Sequence, residues 1–266
     1  MKLVNKKTFS NGQVFAIELD DGMLIETTET FLPFYTKDCI NGHTNELVNN
    51  NLGSRKERWM IGVSTMSGCP CRCKFCATGN MPRWRKLTAK EIVDQVALMI
   101  ANAPMIDGYK PNPKDAQEFK INYTRMGEPF LNVENVKEAI EAINVVYPNT
   151  HHYISTIGIK DSDFSWIKDN ITLQVSLHSC VDSTRDELIP FPRKMSISEL
   201  GAIRTESSLK TTLNMTLVDE NDFDIEVLRK HFPKENFFIK LSPINPNDFS
   251  DQNGLGLGAI KAKNLQ

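Results

Sequence analysis

Residues 67–79, Ser-Gly-Cys-Pro-Cys-Arg-Cys-Lys-Phe-Cys-Ala-Thr-Gly, form the stretch around which the chain is organised. They hold four of its six cysteines, and Cys69, Cys73 and Cys76 have the spacing C-x3-C-x2-C. Cysteine thiolates bind iron–sulfur clusters, so three of them on one tight loop can hold three irons of a [4Fe-4S] cluster. The fourth iron would then have no ligand from the protein.

Four neighbouring cysteines also suggest a structural zinc site. Such sites usually pair two C-x2-4-C elements that lie far apart, or they add histidines. This chain has no second cysteine pair, and no histidine lies near residues 67–79. The spacing therefore favours the cluster, with zinc as the alternative.

The composition is that of an ordinary globular protein, with 266 residues of which 40% are hydrophobic and 24% charged. This is enough for one large domain or two small ones. The net charge of −2 gives no global basic field for a nucleic-acid partner, although a local basic patch stays open. We find no signal peptide and no apolar run long enough to span a membrane. We expect a cytoplasmic monomer with reduced cysteines.

Patterns along the chain predict a series of strands and helices. Residues 13–18 and 23–28 are β-rich and flank Asp-Asp-Gly, which predicts a β-hairpin, and residues 40–58 are predicted to form a loop. The remainder alternates strand and helix patterns. The predicted strands are 59–64, 119–125, 153–157, 172–177, 212–218 and 237–241. The predicted helices are 88–103, 133–146, 161–169, 197–207 and 224–231.

Strands that alternate with helices indicate parallel βαβ units and an α/β fold. We predict a partial (β/α)6 TIM-like barrel with a small N-terminal β-hairpin extension. The extension is expected at residues 1–58, the barrel at 59–246 and a short C-terminal tail at 247–266. Active sites in such barrels lie at the C-terminal ends of the strands, where residues 67–79 and several polar motifs are predicted to meet.

Residues 63–79 resemble the signature of the radical SAM superfamily, and the wider match resembles its branch that methylates adenines in 23S rRNA and tRNA. The resemblance covers roughly residues 13–246. It implies that Cys69, Cys73 and Cys76 bind a [4Fe-4S] cluster whose open iron chelates S-adenosyl-L-methionine (SAM). An electron from a partner such as flavodoxin or ferredoxin would then cleave SAM to a 5′-deoxyadenosyl radical. Cys71 is extra, either a spectator or a competing ligand in a shifted frame.

The segment Gly127-Glu128-Pro follows the second predicted barrel strand and resembles the element that binds the SAM amino group. Glycine permits close backbone approach, and a carboxylate accepts hydrogen bonds from an ammonium. Residues 154–158, Ile-Ser-Thr-Ile-Gly, resemble a motif in which the serine, here Ser155, contacts SAM. Without the resemblance, the Gly127-Glu128-Pro segment would be interpreted as a turn. Ser155 would be interpreted as a serine on a strand whose hydroxyl bonds to the backbone.

Residues 175–178, Val-Ser-Leu-His, match the Ser-Leu-His of the branch. The resemblance implies that Ser176, Leu177 and His178 form a segment that reaches the SAM ribose or carboxylate. The last barrel strand leads into Ser-Pro-Ile-Asn-Pro, in which Asn245 is expected to contact SAM at its adenine. The alternatives are a structural histidine at a strand end and an asparagine that caps a turn before proline.

Glu26 lies in Asp-Gly-Met-Leu-Ile-Glu-Thr and matches an acidic residue that is proposed as the proton acceptor in the branch. We therefore expect Glu26 to be the catalytic residue, with Glu29 as a rival alignment. The alternative for either residue is a solvated carboxylate on a strand.

The chain departs from the branch at the two cysteines that transfer the methyl group there. One stands seven positions before the first cluster cysteine, where this chain has Gly62, and the other lies on a C-terminal segment, whereas residues 247–266 contain no cysteine. The N-terminal RNA-engaging domain of the branch also has no room. Without a thiol nucleophile the covalent relay has no methyl carrier. Cys39 and Cys180 are the remaining candidates, and each is expected to be a buried, inert thiol.

Three functions compete. The first is a radical SAM enzyme that abstracts hydrogen from an unidentified substrate without the two-cysteine relay, with a nucleoside or RNA substrate left open. The second is a radical SAM RNA adenine methyltransferase with a non-standard methyl carrier. The third is a non-catalytic iron–sulfur or zinc-binding protein, against which the complete set of SAM motifs argues. The missing thiols favour the first.

Overall fold

The structure, a computed structural model, describes residues 1–33, 52–106, 108–216, 222–242, 244, 245 and 247–255. Its chain divides into two units. The first comprises Met1–Thr65, Leu87–Met126 and Val133–His152, and the second comprises Met66–Lys86, Gly127–Asn132 and the chain from Tyr153 onward. The described helices are all too short or too polar to cross a membrane. The domain boundaries predicted at residues 58 and 246 stay predictions.

All six predicted barrel strands are present with shifted ends, and most of the loop predicted at 40–58 lies outside the described residues. The strands are β1 (Lys2–Phe9), β2 (Gly12–Glu18), β3 (Leu24–Leu32), β4 (Arg58–Val63), β5 (Met66–Ser67), β6 (Arg85–Lys86), β7 (Glu118–Tyr123), β8 (Thr150–Thr156), β9 (Ile171–Ser176), β10 (Thr211–Thr216) and β11 (Phe237–Ser242). The helices are α1 (Ala89–Asn102), α2 (Val133–Val146), α3 (Asp182–Leu188), α4 (Ile197–Gly201), α5 (Ile225–His231) and α6 (Asp248–Gln252).

In the first unit the strand order is β1-β2-β3-β4-β7, followed by the first residues of β8. The strands β1, β2 and β3 form an antiparallel meander, so the predicted hairpin is confirmed as β2–β3. The sequence patterns do not predict β1, because all of its side chains are exposed and no apolar alternation marks it. The strands β4 and β7 are parallel, as predicted.

The helix α1 begins as its sequence predicts. Thr88 accepts a hydrogen bond from the Glu91 N–H, and the Glu91 side chain accepts one from the Thr88 N–H, which forms a capping box. Ile92, Val96 and Met99 lie at helical spacing and are buried. Burial of each such side chain stabilises the fold by about 1.5–3 kcal/mol, so α1 is held by its apolar face.

A buried ion pair explains Glu29, which is only 1% exposed in the first unit. Arg55 donates to both of its carboxylate oxygens, and Trp59 Nε1 donates to Oε2 at 2.8 Å. Gln13 Nε2 is a further donor. Because its carboxylate is enclosed and bonded on all sides, Glu29 has a structural role and is neither solvated nor a rival proton acceptor.

The second unit contains the strand order β8-β9-β10-β11, in which β9, β10 and β11 are parallel. The short antiparallel pair β5–β6 and the 3-10 helix Ala77–Asn80 frame the cysteine-rich stretch. The helices α3, α4, α5 and α6 belong to this unit. It thus brings residues 67–79 together with the strand ends that carry the SAM motifs.

The helix predicted at 161–169 is wrong, because these residues form turns. Asp163 Oδ1 accepts a hydrogen bond from the Ser165 N–H at 2.8 Å, and such side-chain bonds compete with helical ones. The helix predicted at 197–207 ends at Gly201. The helix α3, which is not among the predicted helices, carries Arg185 into the interior of the unit.

Candidate cluster and cofactor site

The thiols of Cys69, Cys71, Cys73 and Cys76 lie close together on the loop between β5 and β6, and all four are free. Burial raises the pKa of the Cys73 thiol, and the charges of Cys76 and Cys69 raise it further. The Cys73 thiol is therefore close enough to the other two predicted ligands, Cys69 and Cys76, to interact with them electrostatically. A thiolate in such a place needs a cation nearby. A coordinated metal is such a cation, and the thiol that binds it loses its proton.

Cys71 interacts with Cys69 through a hydrogen bond between their side chains. This bond lowers the pKa of Cys69, whereas the same bond and then burial raise the pKa of Cys71. Cys71 is 1% exposed, and its raised pKa favours the protonated thiol, whereas the lowered pKa of Cys69 favours the thiolate that binds metal. This agrees with the frame in which Cys71 is not a ligand.

A single metal ion requires several donor side chains that converge on one point. No three His, Cys, Asp or Glu side chains of the described residues converge closely enough to hold one ion. Zinc needs such convergence, whereas the ligands of a [4Fe-4S] cluster bind different irons. The thiols of Cys69, Cys73 and Cys76 are the kind of donor that binds such a cluster.

Backbone contacts hold the loop between Cys73 and Cys76 in place. The Lys74 N–H donates to the Leu188 carbonyl at 2.9 Å, and Asn253 Nδ2 donates to the Lys74 carbonyl at 3.1 Å. Asn247 Nδ2 donates to the Phe75 carbonyl at 3.1 Å. The two asparagines flank α6, and they escaped the sequence analysis because an asparagine beside a short helix reads as an ordinary cap.

Glu128 is 4% exposed and accepts three hydrogen bonds from the protein. Its Oε1 accepts from the Phe130 N–H at 3.0 Å, its Oε2 accepts from the Ile157 N–H at 2.9 Å, and the Thr156 hydroxyl is the third donor. Burial raises the pKa of Glu128 to about 7 against these bonds, which lower it. An ionised carboxylate offers about four acceptor positions, so one position is left for a ligand.

Gly127 has φ +99°, a conformation that side chains rarely adopt. A Cβ built on it would lie 2.5 Å from Met66 Cγ and 2.7 Å from the Met66 backbone nitrogen. The glycine therefore allows close approach between the Glu128 segment and β5, which leads into the cysteine loop.

His178 also has a positive φ, of 61°, which is uncommon for a residue other than glycine and clusters at functional sites. Its Nδ1 accepts from the Thr216 N–H at 3.1 Å, which leaves Nε2–H as the donor of the neutral ring. Burial, and then the charge of Arg185, lower the pKa of His178 to about 3. Its ring meets Phe75 edge-on with centroids 4.6 Å apart. His178 is thus in direct contact with the cysteine loop.

Ser176 and Leu177 precede His178 at the end of β9. Leu177 is fully buried, and its carbonyl accepts from Arg185 Nε at 3.1 Å. The Ser176 carbonyl accepts from Arg185 Nη2 at 3.4 Å. The buried guanidinium therefore fixes the backbone of this predicted SAM segment, a role that the sequence analysis did not assign.

The remaining predicted SAM residues are less closely tied to the loop. Ser155 Oγ donates to Gln174 Oε1 at 3.1 Å on the neighbouring strand. Asn245 is exposed, and its carbonyl accepts from Asn247 Nδ2 at 3.0 Å. Within the described residues no hydrogen bond joins Ser155 or Asn245 to Glu128 or to a cysteine, so their roles toward SAM stay predictions.

Glu26 belongs to the first unit and is half-exposed on β3. Its carboxylate forms an ion pair with Arg125, and its N–H donates to Met126 Sδ at 3.2 Å. The Arg125 guanidinium therefore holds the Glu26 carboxylate in place. The sequence analysis did not predict a partner for Glu26, because residues 26 and 125 lie far apart along the chain.

Gly62, in the same unit, marks the position of the missing thiol. A Cβ at this position would lie 2.6 Å from Thr28 Oγ1 and 3.0 Å from Arg125 Cδ. The space that a side chain would need is already filled by these two residues. Gly62 is therefore packed as a glycine, with Arg125 over it.

Cys180, the spare cysteine among the described residues, does not offer an exposed thiol. Cys180 is 4% exposed, and burial raises the pKa of its thiol. A protonated and buried thiol is a poor nucleophile. Cys39 lies outside the described residues.

Comparison with known proteins gives clear relatives, although no family model matches the chain. The probable dual-specificity RNA methyltransferase RlmN of Desulfitobacterium hafniense is 33% identical, over 86% of this chain and 65% of that protein. Proteins of the same name from Thermosipho melanesiensis and Pseudothermotoga lettingae are 32% and 29% identical, over 69% and 92% of this chain. The alignments cover 55% and 66% of those two proteins, so the chain spans between half and two thirds of these relatives.

A crystal structure of a radical SAM methyltransferase from Sphaerobacter thermophilus has the same fold. It matches 92% of this chain and 67% of that chain with a TM-score of 0.65, at 24% identity. This confirms the predicted α/β class, a partial (β/α)6 radical SAM barrel with an N-terminal hairpin. By sequence the chain resembles the RNA methyltransferases of the RlmN type, and its fold is that of a radical SAM methyltransferase.

Proposed function

We propose that this protein is a radical SAM enzyme, with a [4Fe-4S] cluster on Cys69, Cys73 and Cys76. When bound, the cluster would supply one electron that cleaves SAM into methionine and a 5′-deoxyadenosyl radical, which takes hydrogen from the substrate. The observation that carries the proposal is the close approach of the Gly127 backbone to Met66, which places Glu128 beside the start of the cysteine loop, where it interacts electrostatically with Cys69 and Cys73. A carboxylate that can accept from an ammonium therefore lies beside the proposed cluster ligands.

The protein would bind SAM through hydrogen-bonding groups that hold it in one orientation. Glu128 has one acceptor position left for the SAM ammonium, and its other positions are fixed by Phe130, Thr156 and Ile157. His178 presents a neutral Nε2–H donor, since its Nδ1 is already engaged. Ser155, Ser176, Leu177 and Asn245 would complete the binding site. Burial of Glu128 and His178 excludes water, which strengthens each of these contacts.

Glu128→Gln is expected to weaken SAM binding, because it removes the charge that attracts the ammonium. A hydrogen bond to a charged group contributes about 1.5–3 kcal/mol, which corresponds to a dissociation constant higher by roughly ten- to a hundredfold. Anaerobic calorimetry measures this change. Glu187→Gln, on an exposed residue of α3, serves as the control and should leave the affinity unchanged. Equal affinity of wild type and Glu128→Gln would remove Glu128 from the SAM site.

The proposed reaction is hydrogen abstraction without a methyl relay. A thiol at position 62 would collide with Thr28 and Arg125, and Cys180 is buried with a raised pKa. The relay needs a nucleophilic thiol to carry the methyl group. Glu26 is proposed to accept a proton from the substrate, and Arg125 holds its carboxylate in place.

The second candidate is an RNA adenine methyltransferase with a non-standard methyl carrier. The names of the relatives favour it, since these proteins are called RNA methyltransferases. Cys39 would be the carrier to examine first, because the other five cysteines are proposed ligands or buried thiols. A nucleoside or RNA substrate is proposed for both candidates, with a flavodoxin or ferredoxin as electron donor.

Reductive cleavage of SAM tests the proposed function. Anaerobically reconstituted protein with dithionite and SAM is expected to release 5′-deoxyadenosine, slowly in the absence of the true substrate. Cys73→Ala, carried through the same reconstitution, should release none. A wild-type protein that holds a cluster and SAM but forms no 5′-deoxyadenosine would contradict the proposal, as would equal release by both proteins.

A further inference from the structure

Arg185 joins two parts of the proposed SAM site in the second unit, the segment that positions Glu128 and the segment that precedes His178. It is fully buried, and its Nη2 donates to the Ile157 carbonyl at 2.6 Å. The N–H of the same Ile157 donates to Glu128, which connects the guanidinium to the proposed ammonium-binding carboxylate. Its Nε and Nη2 bind the carbonyls of Leu177 and Ser176, directly before His178.

No ion pair neutralises the charge of Arg185 within the part of the chain that the structure describes. Among the described residues, its hydrogen bonds go to four neutral carbonyls, those of Ile157, Ser176, Leu177 and Met195. Burial lowers the pKa of Arg185 to about 10, so it stays protonated at neutral pH. A buried charge without a counter-charge costs several kcal/mol, and neutral residues would serve better if packing were all that was needed.

The acidic groups that act on Arg185 are few. Asp182 has the largest influence, but it is exposed and accepts a hydrogen bond from the Ile197 N–H. Cys73 is the next, and it is buried. The helix that carries Arg185 also contacts the cysteine loop, since the Leu188 carbonyl accepts from the Lys74 N–H at 2.9 Å, so the buried positive charge lies near the proposed cluster ligands.

We infer that Arg185 is a positioning residue that holds a fixed positive charge beside the cluster, aligns the strand ends that bind SAM and makes the cluster easier to reduce. The inference rests on the proposed function. Reduction adds an electron to an anionic group, and net charge and hydrogen bonding near a cluster set its potential. A nearby guanidinium therefore raises the reduction potential.

Two substitutions separate the charge from the hydrogen-bond geometry. Arg185→Met removes the charge and keeps a long side chain, whereas Arg185→Lys keeps the charge and loses the planar donor fork. Arg193→Met, on an arginine that is 62% exposed, is the control. Each protein is reconstituted anaerobically, its iron content and melting temperature are determined, and the cluster is titrated with reductant under electron paramagnetic resonance.

Arg185→Met is expected to lower the reduction potential, Arg185→Lys to keep it near the wild-type value but weaken SAM binding, and Arg193→Met to change neither. A wild-type potential in Arg185→Met at full iron content would overturn the inference and leave the proposed function standing. If neither Arg185 variant folds, Arg185 is a purely structural residue and the inference also fails. Failure of the wild type to hold a cluster would instead contradict the proposed function.

Discussion

Replacement of Cys69, Cys73 or Cys76 by alanine is expected to abolish the [4Fe-4S] cluster entirely. Each thiolate is proposed to hold a different iron, and a cluster that keeps only two protein ligands would be lost during reconstitution. Iron and sulfide analysis and the visible absorbance of the anaerobic protein measure the effect. Each variant lacks only one sulfur atom. Its melting temperature, measured without the cluster, should therefore stay close to that of the cluster-free wild type.

Cys71→Ala is the matched control for this experiment. Cys71 is on the same loop and is more deeply buried than Cys69, and its raised pKa disfavours the thiolate that a ligand must be. Its replacement should leave the iron content near the wild-type value. A Cys71→Ala protein without iron, or a Cys69→Ala protein with a full cluster, would show that the ligand frame is shifted.

Gly127→Ala is expected to cause a large loss of stability. At φ +99° a side chain costs about 1–3 kcal/mol in backbone strain. Its Cβ would also lie 2.7 Å from the Met66 nitrogen, and overpacking of this kind typically costs about 1–3 kcal/mol more. Chemical unfolding of the cluster-free protein measures the sum.

Gly22→Ala isolates the first of these two contributions. Gly22 has φ +77°, but a Cβ at this position would meet no atom within 4 Å. Its replacement should therefore destabilise the protein through strain alone, and by less than Gly127→Ala. Equal losses in the two variants would mean that the contact with Met66 is not tight.

The cysteine ligands and most strands could be predicted because local patterns encode them. The spacing of Cys69, Cys73 and Cys76 needs no knowledge of the fold, and the alternation of apolar residues marks strands such as β7 and β9. The capping box at Thr88 is equally local. Each of these signals is complete within a few residues, so the sequence alone is sufficient to read it.

The parts that could not be predicted depend on contacts between distant segments. The role of Arg185 could not be predicted, because the carbonyls of Ile157 and Leu177 that bind it belong to other segments of the chain. The pairing of Arg125 with Glu26 and the packing over Gly62 join residues more than thirty positions apart. The strand β1 has no buried face at all, so neither periodicity nor composition could mark it.

The products formed from SAM most directly show whether the protein runs radical chemistry without a methyl relay. A relay consumes two SAM molecules, one of which leaves as S-adenosylhomocysteine after donating its methyl group, while the other yields 5′-deoxyadenosine. Reduced, cluster-loaded protein with SAM is therefore predicted to form 5′-deoxyadenosine, only background S-adenosylhomocysteine, and a chain of unchanged intact mass. S-adenosylhomocysteine in amounts similar to 5′-deoxyadenosine, with one added methyl group that maps to Cys39 or Cys180, would contradict this and identify a methyltransferase with a relocated carrier.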